Sequence, residues 1–129
     1  PVIIHSREAT GDLIETLKKY HAKGIIHCFN GSKETANIFI KLGYKLGIGG
    51  VITFKNCKLK EEIKDIPANN FLLETDAPYL TPAPFRGKPN EPKYMIYTLK
   101  TLSEALNTDE STLSDILENN FHELFDIKD

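Results

Sequence analysis

The sequence predicts an α/β domain built on a parallel sheet. Three observations predict it. Short apolar runs alternate with amphipathic stretches at helical spacing, which is the rhythm of βαβ units. The runs are continuous rather than alternating, as expected of parallel strands covered on both faces. Three of the four runs end in a residue able to bind a metal, His5, His27 or Asp76, and the ligand site of a parallel α/β sheet lies at the carboxyl ends of its strands.

The first apolar run covers residues 1–5 and ends in His5. Residues 10–22 follow with Leu13, Ile14, Leu17 and His21 at helical spacing. Residues 24–29 form the second run. Ser32 is placed to cap a helix whose inner face carries Ala36, Phe39 and Ile40, with Gly43 as its stop. The glycine-rich third run spans residues 44–52, and a short charged helix over residues 59–66 presents Leu59, Ile63 and Ile66 inward. Residues 71–76 are the fourth run. After it the texture changes: Pro78, Pro82, Pro84, Pro89 and Pro92 are five of the seven prolines, and they make the following loop long but stiff. Loops of that length in compact domains usually serve a function. Two helices, over residues 92–106 and 109–125, close the chain.

Composition bounds what the protein does. With 40% hydrophobic and 26% charged residues the chain is an ordinary globular sequence, and no stretch approaches the ~20 apolar residues of a membrane span. A net charge of −2 excludes a globally basic nucleic-acid binder, so phosphate contacts must come from a local patch. Two cysteines, Cys28 and Cys57, are too few for a disulfide framework, and no signal peptide is visible, so a cytoplasmic location is expected. Taken alone, 129 residues suit one small domain.

Neutral imidazoles and a carboxylate at the strand ends suit a hydrolytic divalent-metal centre. His5 and His27 would otherwise be core histidines bonded to backbone, with Asp76 capping a turn. Glu74 lies two residues before Asp76, so in a strand both point to one face, and paired carboxylates let one hold metal while the other takes a proton or positions water. Cys28, next to His27, is expected on the opposite face, packed under the helices. Cys57 sits in a polar loop beside Lys55 and Lys58 with no base partner evident. Arg7, Lys55, and Arg86 with Lys88 fall in loops leaving the strands, on the same rim as the histidines, where they suit a phosphate-bearing substrate. Gly31-Ser32, ahead of a helix, would present amide donors to an anion.

The segment Pro1-Val2-Ile3-Ile4-His5-Ser6-Arg7-Glu8-Ala9, the motif His27-Cys28-Phe29-Asn30-Gly31-Ser32 and the block Leu73-Glu74-Thr75-Asp76-Ala77-Pro78-Tyr79-Leu80-Thr81-Pro82 resemble the TatD-type metal-dependent deoxyribonucleases. So do Arg86-Gly87-Lys88-Pro89-Asn90-Glu91-Pro92 and the terminal Asn120-Phe121-His122-Glu123-Leu124-Phe125. The resemblance runs over essentially the whole chain. It implies the amidohydrolase superfamily, a (β/α)8 TIM barrel and hydrolysis of phosphodiester bonds in DNA, often as a 3′-5′ exonuclease; a related branch deacylates D-aminoacyl-tRNA. By the resemblance His5, His27 and Asp76 are metal ligands on the fifth, sixth and eighth barrel strands, and Glu74 is a further carboxylate supporting or joining them. Asp76 and Glu74 are then the catalytic carboxylates, two divalent ions (Mg, Mn or Zn) the cofactors, and DNA the partner.

The family's first-strand His-x-His pair and fourth-strand Glu have no counterpart in the sequence. A (β/α)8 barrel runs to ~250 residues. The chain is therefore expected to be the C-terminal half of such a barrel, strands five to eight with closing helices, cut at Pro1. Weak metal affinity and little nuclease activity are expected of it alone. A homodimer through the open half-barrel edges is expected, because unpaired edge strands are templates for association.

Overall fold

The computed structural model describes residues 2–5, 10–19, 22–74, 82–83, 85–89 and 92–125. Four strands, β1 (Val2–His5), β2 (Gly24–His27), β3 (Tyr44–Ile48) and β4 (Phe71–Leu73), make one parallel sheet in the order β1-β2-β3-β4. The helices are α1 (Thr10–Leu17), α2 (Lys33–Lys41), α3 (Leu59–Ile63), α4 (Met95–Ala105) and α5 (Glu110–Phe125). The expected strand–helix alternation and parallel pairing are both present.

The predicted boundaries mostly hold, and where they shift the cause is local. Ser32 caps α2, its hydroxyl accepting from the Thr35 amide at 3.1 Å, and Gly43 ends the helix at φ +95°, a conformation open to glycine. The third run does not stay a strand to residue 52. It leaves the sheet at Gly49 and tightens into a 3-10 turn over Gly50–Thr53 that buries Ile52. Of the fourth run, Phe71–Leu73 form the strand and Glu74 directly follows it; residues 75 and 76 lie outside the described residues. A 3-10 turn over Pro92–Tyr94 leads into α4, since proline lacks the amide that a helix interior needs. Asp109 caps α5: its carboxylate accepts from the Thr112 amide at 3.0 Å and the Thr112 hydroxyl at 2.6 Å.

Strand register gives the sheet two unlike faces. Ile26, Leu46, Ile48 and Phe71 share one, and with Phe39, Leu59, Ile63 and Leu102 they form the main core. Ile3, Ile25 and Leu72 share the other. Its buried part is small: Ile25 and Leu72 pack against Leu124 at the end of α5, while Ile3 on the outer strand is 60% exposed. Asn120 secures that end of the sheet. Its Nδ2 donates to the carbonyls of Ala68 (2.9 Å) and Phe71 (2.8 Å), fixing α5 against the entry of β4. Among the described residues no helix is long and apolar enough to cross a membrane.

Candidate metal centre

The carboxyl ends of β2, β3 and β4 converge on one group. His27 is the last residue of β2, and Glu74 directly follows β4. Between them runs β3, with Gly47 at the crossing point. A Cβ built on Gly47 would stand 2.5 Å from the Glu74 carboxyl carbon, so only glycine lets this side chain lie across the strand. Backbone bonds on either side hold the approach: the Phe29 amide donates to the Gly47 carbonyl (2.8 Å) and the Glu74 amide to the Ile48 carbonyl (2.9 Å).

Glu74 uses both oxygens. His27 Nδ1 donates to Oε2 at 3.0 Å, and the Cys28 backbone amide donates to Oε1. The carboxylate thus brackets two consecutive residues and is itself largely buried, its side chain 17% exposed. A proton held on Nδ1 leaves the Nε2 lone pair as the imidazole's ligand position, the arrangement in which a carboxylate orients a metal-binding histidine. Cys28 Sγ lies 3.4 Å from that Nε2.

The position of Cys28 corrects the expectation that it packs under the helices. Side-chain alternation holds only while the chain stays extended. β2 ends at His27, and Cys28 takes φ +48°, in the left-handed region, which turns its thiol back toward the imidazole and to 3.4 Å from a Cβ built on Gly49. His27, Cys28 and Glu74 each offer one ligand atom, all within 4.8 Å of one another, beside a small cleft whose lining includes Asn30, Gly31 and Thr35. With both Glu74 oxygens engaged, the donors here that fit a divalent ion of the zinc type are His27 Nε2 and Cys28 Sγ.

The other expected site residues are placed as follows. His5 ends β1 and is the register partner of His27; its side chain, like the whole of Arg7 and Asp76, lies outside the described residues. Lys55 is exposed after the 3-10 turn that follows β3. The exposed Arg86 places its guanidinium 4.1 Å from the centroid of the Phe54 ring. At the start of α2 the Lys33 amide donates to the Glu62 carboxylate at 2.8 Å and that of Thr35 to the Ser32 hydroxyl, so these two amides are not open to an outside anion. Cys57 sits near Asn30, Sγ to Oδ1 3.7 Å, and the two cysteines form no disulfide. Gly47 and Cys28 are the positions in this cluster that sequence reasoning missed. A glycine within an otherwise apolar strand signals a close approach, and this was the available clue.

A sequence model of TatD-related DNases matches residues 1–126. The chain belongs to the TatD-related DNase family. It is 44% identical, over 98% of its length, to the uncharacterized metal-dependent hydrolase YabD of Bacillus subtilis, of which it covers 51%. To the uncharacterized metal-dependent hydrolase YcfH of Escherichia coli it is 33% identical, covering 49% of that protein. The crystal structure of the TatD homologue YjjV of E. coli superposes with a TM-score of 0.93 at 36% identity, over 99% of this chain and 51% of that one. A TatD family hydrolase of Entamoeba histolytica, 24% identical with a TM-score of 0.83, shares the fold. The four strand–helix units are therefore those of the TatD TIM-barrel fold, and the chain spans about half the length of the curated relatives it matches.

Proposed function

We propose that this TatD-family chain supplies the C-terminal half, strands five to eight, of a metal-dependent hydrolase that cleaves phosphodiester bonds in DNA as a 3′-5′ exonuclease in the cytoplasm. The observation that carries the reading is the His27–Glu74 pair, an imidazole oriented by a largely buried carboxylate at the carboxyl end of a parallel sheet. His27 through Nε2, with His5 and Asp76, would hold the metal, as one ion or two. A divalent ion there supplies Lewis-acid stabilisation of the charge developing at phosphorus and activates water.

The residues divide the remaining work. Glu74 keeps the proton on His27 Nδ1 and holds the ring in place. Asp76 takes the proton released by the attacking water. Arg7, Lys55 and Arg86 bind phosphate oxygens, Arg by its paired donors. Neither His-x-His nor a fourth-strand Glu is present, so the donor set in this chain is partial.

The test is cleavage of an end-labelled oligonucleotide in manganese or magnesium. The chain alone is expected to cleave little, and the chain joined to the first half of the Bacillus relative is expected to shorten the strand from its 3′ end. Deacylation of D-aminoacyl-tRNA by the joined protein, without cleavage of DNA, would replace this reading with the deacylase or another amidohydrolase. A second reading is a non-catalytic half-barrel that pairs with another copy, and the exposed Ile3 on the outer strand favours it. Light scattering after size exclusion decides it: a monodisperse monomer removes the homodimer.

A further inference from the structure

The loop after β4 and the turn after β3 meet in a patch whose aromatic rings the hydrolytic chemistry leaves unused. Thr53 ties them together: its hydroxyl donates to the Gly50 carbonyl (2.7 Å) and accepts from the Ala83 amide (2.8 Å). Two tight turns follow, with the Phe85 amide on the Pro82 carbonyl (2.9 Å) and the Lys88 amide on the Phe85 carbonyl (3.1 Å). They present alternating rings and cations. Arg86 lies over Phe54; Phe85 stacks on Tyr94 with centroids 4.3 Å apart and planes 12° from parallel; Tyr97 meets Phe85 edge-on at 5.0 Å. Lys88 and Lys93 lie 5.8 and 5.5 Å from the centroids of Phe85 and Tyr94.

The charge here is opposite to that of the chain. Residues 53–58 and 82–94 hold Lys55, Lys58, Arg86, Lys88 and Lys93 against a single acid, Glu91, while the whole chain is at −2. Aromatic faces interleaved with exposed cations match one ligand chemistry, a polyanion bearing flat π-systems. In a duplex the bases already stack on one another, so the matching form is an unpaired strand.

We propose that Phe54–Arg86 and Phe85–Tyr94 form a base-stacking subsite for single-stranded polynucleotide, with Lys55, Lys88 and Lys93 on its phosphates. The proposal rests on the nucleic-acid reading above and adds a site at which bases, not only phosphates, are held.

The test is binding without cleavage. Fluorescence anisotropy in EDTA compares a labelled oligothymidylate with an abasic strand of equal length and charge. The strand with bases is expected to bind about tenfold tighter, corresponding to ~1.4 kcal/mol. Phe54→Leu keeps the apolar volume and removes the π-face, so it lowers affinity for the oligothymidylate toward that for the abasic strand, with circular dichroism confirming the fold. Lys88→Gln lowers both affinities equally. The chain has no Trp, so its fluorescence comes from tyrosine; oligothymidylate is expected to quench it, and Tyr94→Phe to remove part of the quench. Equal binding of the two strands, binding of neither, or an unchanged preference in Phe54→Leu overturns the subsite. Cleavage with no base preference leaves the nuclease reading standing alone; base-dependent binding with no cleavage by the joined protein leaves the subsite and removes the nuclease.

Discussion

The carboxylate bracket at Glu74 and the aromatic rim at Phe54 and Arg86 lie at the same end of the sheet and are held in opposite ways. Backbone geometry on three elements encloses the bracket: Gly47 clears its path, the Cys28 amide and His27 occupy its oxygens, and little of it meets solvent. The rim is held by side-chain faces on two loops, with its cations exposed. Buried polar groups are costly to leave unpaired, whereas exposed cation–π contacts are worth little. Changes in the enclosed bracket are therefore expected to cost the fold far more than changes in the exposed rim.

The sharpest break is Gly47→Ala. Alanine is ordinarily no worse than glycine in a strand, yet here its Cβ collides with the Glu74 carboxylate, and a loss of about 2–4 kcal/mol is expected from urea unfolding followed by circular dichroism. In a Glu74→Ala background the collision is gone, and the same change is expected to cost under ~1 kcal/mol, a coupling read from the double-mutant cycle. Asn120→Ala comes next. It removes the Nδ2 donor from the carbonyls of Phe71 and Ala68, the latter keeping the Phe71 amide, with an expected loss of about 1–3 kcal/mol on the same measurement.

Arg86→Ala tests the other side of the comparison. It is expected to lower stability by under ~1 kcal/mol while weakening oligonucleotide binding in the anisotropy assay. The smallest effect belongs to Asp109, where the side-chain and then the backbone hydrogen bond from Thr112 hold the carboxyl below its ordinary range. The folded state favours the anion, so this stabilisation is present above the ordinary carboxylate pKa and fades as pH falls through the lowered one. Asp109→Ala should therefore lower the thermal midpoint slightly at neutral pH and leave it unchanged in strong acid.

His27 and Glu74 were legible in the sequence because both stand where an apolar run gives way to polar residues, and such points in a parallel sheet are strand ends. Ser32, Gly43 and the inward Leu59 and Ile63 were legible because caps and helical spacing are local properties; α3 ends at Ile63, short of the expected residue 66, although Ile66 is still buried. Cys28 was not, because one left-handed residue cancels the alternation from which its face was inferred. Gly47 showed only that something approaches, since the approaching side chain lies far along the chain. The engagement of the Lys33 amide was hidden for a similar reason: its acceptor, Glu62, belongs to another helix. Asp76 and Arg7 lie outside the described residues and keep their roles as proposals.

The Glu74 bracket also has a consequence for when the site comes into being. Its carboxylate meets partners 46 and 47 residues earlier in sequence, across a strand that must already be in register. Local helices form without such closure, but contacts of this separation wait on it. The His27–Glu74 bond thus forms only after β2, β3 and β4 have paired, and a growing chain that has not yet delivered residue 74 holds His27 without that carboxylate.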